Sequence, residues 1–112
     1  TSIVALYDAL AQITGSPIVA LNRAVALAMA FGPLAGLEAT DALRDEPTLR
    51  SYHLLPSVRG DLLAKLGRFG EARAELERAA SLTANHRERE LLRERASMCE
   101  RGFYDPRRRA PG

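Results

Sequence analysis

The chain has 112 residues, enough for one hydrophobic core and too few for two independent ones. Nineteen alanines and seventeen leucines stand against seven valines and isoleucines and no tryptophan, a stock of helix formers that predicts an all-α fold and excludes a β-rich one. The formal net charge of +2 is unevenly placed: residues 1–56 hold three bases and five acids, residues 57–112 thirteen and nine.

Residues 2–14 put Ile3, Leu6, Leu10 and Ile13 at spacings of three, four and three, one face of a first helix. Gly15 closes it. Ser16-Pro17 opens a second helix over 17–31, with the Ser16 side chain expected to cap a free N–H and proline at the first helical position, where no donor is missed. This helix is apolar nearly all round except for Asn22 and Arg23, which predicts burial on most sides. Gly32-Pro33 ends it and starts a third, 33–44, that stops at Asp45-Glu46-Pro47. A fourth runs from Ser51 or His53 to Leu66, with Pro56 tolerated in its first turn. Gly67 terminates that helix, a fifth spans Phe69 to about Thr83, and Asn85 with Glu88 forms a capping-box pattern for a sixth that ends at Gly102. Six helices joined by short turns therefore occupy residues 1–104. Residues 105–112 read as a flexible basic tail, in which Arg107, Arg108 and Arg109 face only Asp105. Without that tail the chain balances at thirteen bases and thirteen acids, so its basicity is no sign of a nucleic-acid surface.

A repeat organises these helices. Gly32, Gly67 and Gly102 lie 35 residues apart, each followed two positions later by a bulky side chain: Leu34, Phe69 and Tyr104. A period near 34 residues built of two helices is the signature of a tetratricopeptide (TPR) array. Small residues fall where such a pattern needs them, Gly60 in one helix and Ala72 and Ala79 in the next, so that two antiparallel helices approach closely. Phe69 and Leu76 are expected to fill the gap to the following pair. Ala84 replaces the usual proline and Pro56 the usual aromatic, and the third unit stops after its first helix. The expected architecture is a stack of αα-hairpins with degenerate repeats.

Chemistry is sparse. Cys99, the one cysteine, excludes an intramolecular disulfide framework and fits a small packed group beside Met98. His53 and His86 are 33 residues apart with no second ligand at metal spacing. No glycine-rich phosphate loop or serine elbow occurs, and no segment reaches the ~18 apolar residues of a membrane span. Carboxylates such as Glu71, Glu75 and Glu90 sit at helix-face spacings from arginines and read as solvated pairs. No catalytic, metal or cofactor site is expected. Function is expected at a surface lined by first helices, where Asn22, Arg23, Tyr52, His53, Arg59 and Asp61 interrupt apolar stretches as candidate partner-binding residues. A small-ligand pocket near Asn22 and Tyr52 is the alternative.

The ordered strings Ser16-Pro17-Ile18-Val19-Ala20-Leu21-Asn22-Arg23-Ala24-Val25-Ala26, Gly32-Pro33-Leu34-Ala35-Gly36-Leu37, Tyr52-His53-Leu54-Leu55-Pro56 and Arg59-Gly60-Asp61-Leu62-Leu63, followed by Leu66-Gly67-Arg68 and Glu71-Ala72, carry a resemblance. They resemble the C-terminal TPR-like extension of extracytoplasmic-function (ECF) sigma factors of the group associated with DGPF proteins. The resemblance covers residues 2–101. It implies that the chain, which starts at Thr1 without Met, is the C-terminal fragment of a cytoplasmic bacterial transcription initiation factor. Its implied partners are the sigma regions of the same polypeptide, core RNA polymerase or a regulatory protein. Promoter DNA would be touched only by N-terminal regions that precede this sequence.

Overall fold

A computed structural model describes residues 3–6, 9 and 16–100. Among them the structure is all-helical, a stack of helical hairpins with no strand. Residues 3–6 and 9 are helical and belong to α1. The other elements are α2 (Pro17–Phe31), α3 (Pro33–Asp41), a short 3-10 turn (Pro47–Leu49), α4 (Leu54–Lys65), α5 (Phe69–Leu82) and α6 (His86–Glu100). The chain forms two compact units, Thr1–Ser51 and Tyr52–Gly112. The expected helix-one positions Leu10 and Ile13, the turn residues Gly15 and Gly102, Tyr104 and the 105–112 tail lie outside the described residues.

In the first unit α2 packs on α3, and the 3-10 turn rests on α2. The hinge between the two helices is Gly32, whose φ of 103° lies in the region that side chains avoid; its N–H donates to the Ala28 carbonyl at 2.9 Å. Pro33 starts the next helix at once. Ser16 sits at the N-cap with extended backbone, but its side chain makes no cap hydrogen bond, contrary to expectation. The α3 helix is shorter than expected. Leu43 and Arg44 donate to Thr40 and Asp41 three residues back, which tightens residues 42–45 into turns, and the buried Thr40 hydroxyl bonds the Leu37 carbonyl at 2.8 Å. Leu21, Ala24, Ala26, Leu37 and Leu49 are buried.

The second unit is built of α4 packed on α5 and α5 packed on α6. The α4–α5 turn is a Schellman motif: Gly67 N–H donates to Ala64 at 3.0 Å and Arg68 N–H to Leu63 at 2.9 Å, with Gly67 at φ 79°. The small residues do what the repeat pattern requires. A Cβ on Gly60 would stand 2.7 Å from Leu76 Cγ and 3.3 Å from the Ala72 carbonyl oxygen, so only glycine lets α4 and α5 come this close. Leu76 thus stands directly over Gly60 within its own hairpin. It is fully buried, as are Ala72 and Ala79, whereas Phe69 is only half-buried.

The α5–α6 junction shows why the capping-box pattern is only half realised. Asn85 Oδ1 accepts the Glu88 N–H at 2.9 Å and so caps α6. The reciprocal bond is missing, because Asn85 N–H donates to Thr83 Oγ1 at 3.2 Å and the Glu88 carboxylate turns to His53 at 2.6 Å. Arg89 reaches back to the Ala80 and Thr83 carbonyls at 3.2 and 2.8 Å, satisfying acceptors that the end of α5 leaves open. Glu88 and Arg89, adjacent in sequence and opposite in sign, therefore serve different contacts, one on His53 and one at the end of α5.

Candidate functional site

Asn22 and Arg23 lie in the first unit, side by side on α2; Tyr52, His53, Arg59 and Asp61 lie in the second. The four in the second unit share one property, in that each is engaged with neighbours in its own fold. His53, the N-cap residue of α4, holds Glu88 at the start of α6, and the Tyr52 ring stands edge-on to the imidazole with centroids 5.8 Å apart. The result is a clasp between the N-terminal ends of two helices in successive repeats. Asp61 and Lys65 pair at 3.0 Å one turn apart on α4.

Arg59 is the most enclosed of the set, only 6% exposed, and its Nε lies 3.3 Å from Glu75 Oε2 on α5. Glu75, expected on a solvated face, turns inward to meet it. A guanidinium taken this far from water needs a carboxylate close by, since an unpaired buried charge costs several kcal/mol. Arg59 and Glu75 therefore join α4 to α5, beside the Gly60–Leu76 contact. Other carboxylates are exposed in same-face pairs, Glu71 on Arg68 and Glu77 on Arg73 at 3.0 Å, while Glu90, expected beside arginines, meets His86 at 3.1 Å.

Asn22 differs from these four. It is exposed and lines a cavity of about 410 Å³ with Ile3 and Val4 of α1 and Val25, Ala26, Met29 and Ala30 of α2. The expectation that α2 is buried on most sides fails here. Ile18 is 50% exposed and Met29 81%, and on α1 Ile3 and Leu6 are 61% and 57% exposed. Ile18, Asn22, Val25 and Met29 recur at spacings of four, three and four, a seam along one side of the helix. That spacing was present in the sequence, but a helix apolar nearly all round offered no means of telling the exposed seam from the buried one. Arg23, next to it, is half-buried.

Cys99 is buried in α6, and burial pushes its thiol pKa up, so it is held as a neutral packed group and is not activated as a nucleophile. Among the described residues no three His, Cys, Asp or Glu side chains come together as a metal site. No helix among them is long and apolar enough to cross a membrane. Two surface hollows stand out among the described residues: the groove at Asn22, and a polar one on α5 and α6 lined by Glu77, Arg93, Ser97 and Glu100.

No protein-family model matches the chain, and no solved structure does. It is similar to an uncharacterized protein of Rhizobium meliloti (strain 1021), with 41% identity over 88 residues that cover 79% of this chain. The aligned stretch spans about one fifth of that protein's length.

Proposed function

We propose that this chain is a protein-interaction module, without catalysis of its own, that serves as the C-terminal regulatory domain of a cytoplasmic bacterial ECF sigma factor. The order and spacing of the strings around Asn22, Tyr52, Arg59 and Gly67 carry the sigma-factor reading. Three further features favour a contact module over an enzyme or a ligand sensor. Of the polar candidates of the second unit, His53 and Arg59 are occupied in holding its helices together and Asp61 pairs within α4, which leaves them as framework. The groove at Asn22 is walled by side chains as open as Met29, a shape that suits a partner's helix better than an enclosed small molecule. The alignment with one fifth of a longer relative fits a module carried on a larger polypeptide.

In this reading the sigma regions of the same polypeptide, core RNA polymerase or a regulatory protein would be the partner, and promoter recognition belongs to the preceding regions. The test is transcription from a target promoter by the complete factor with and without these 112 residues. Altered output on deletion is expected. Unchanged output across growth conditions would remove the regulatory assignment.

A further inference from the structure

We draw no further inference here: the strongest candidate, the apolar groove that α2 forms beside α1 in the first unit, carries nothing because nothing in the structure shows what covers it.

Discussion

The two units solve the same problem differently. Residues 52–100 bury Leu55, Leu62, Leu63, Leu76, Leu92 and Met98 in a three-helix layer, α4 on α5 and α5 on α6, and tie its helices with the Arg59–Glu75 and His53–Glu88 pairs. In the first unit a 15-residue helix richer in apolar side chains than any of those three buries only Leu21, Ala24 and Ala26. Of the eight large hydrophobic side chains exposed among the described residues, Ile3, Leu6, Ile18, Met29, Phe31 and Leu34 belong to the first unit. Apolar content therefore does not measure burial. Closure comes from small residues at helix crossings, as at Gly60 and Ala72, and from polar pairs that hold the crossing angle. The unit with both leaves only Leu54 and Leu91 exposed among its described large apolar side chains, against six in the first.

The contrast predicts that the second unit breaks at its crossing. Leu76→Ala should give the largest loss, about 3 kcal/mol, because a fully buried side chain is removed and a cavity remains under Gly60. Gly60→Ala alone should cost about 1–2 kcal/mol: the gain in helix propensity is outweighed by a Cβ forced to within 2.8 Å of a leucine that has no room to move. In the Leu76→Ala background the same methyl fills space that has just been vacated. The two changes should then be strongly non-additive, with Gly60→Ala neutral or stabilising. Denaturant unfolding of the four proteins checks this, and plain additivity would mean that the crossing is not the constraint it is taken to be.

The next largest effect belongs to the pair beside that crossing. Glu75→Ala should destabilise by about 2 kcal/mol, since it leaves the Arg59 guanidinium enclosed without its carboxylate, while Glu75 itself is partly open to water and tempers the loss. Replacing both partners, Arg59→Met with Glu75→Leu, should recover most of that stability. If the double variant is as unstable as the single one, Arg59 contributes through packing of its stem and not through charge.

Helix placement was legible in the sequence because punctuation carries it: Ser16-Pro17, Gly32-Pro33, Gly67 and Asn85 each stand at a junction the structure uses. The Gly60–Ala72–Ala79 pattern likewise located the crossing, since the spacing of small residues records close approach directly. What stayed hidden depends on partners far apart in the chain. Nothing local to Glu75 or Glu88 says that one turns toward Arg59 and the other toward His53, sixteen and thirty-five residues away. Periodicity also failed for α2, because a helix apolar on every side has no preferred face in the sequence, and only packing against α3 reveals which side is left over.

The smallest effect tests how completely the second unit closes, and it concerns Cys99. Burial raises its thiol pKa in the folded protein, so at neutral pH the group is protonated in both native and unfolded chains and contributes no pH dependence. As the pH rises through the ordinary thiol range, near 9, the unfolded chain loses the proton first. The contribution to stability is thus fully present below that range and is lost as the pH climbs through the folded value. Other groups titrate there too, so the quantity to follow is the difference in unfolding midpoint between the parent and Cys99→Ala at each pH. That difference should be flat up to neutral pH and shift against the parent in alkali. Thiol alkylation should run in parallel, slow in native buffer and fast in denaturant. A Cys99 that reacts at the same rate in both conditions would show that α6 opens readily, and the second unit would then resemble the first more closely than its packing implies.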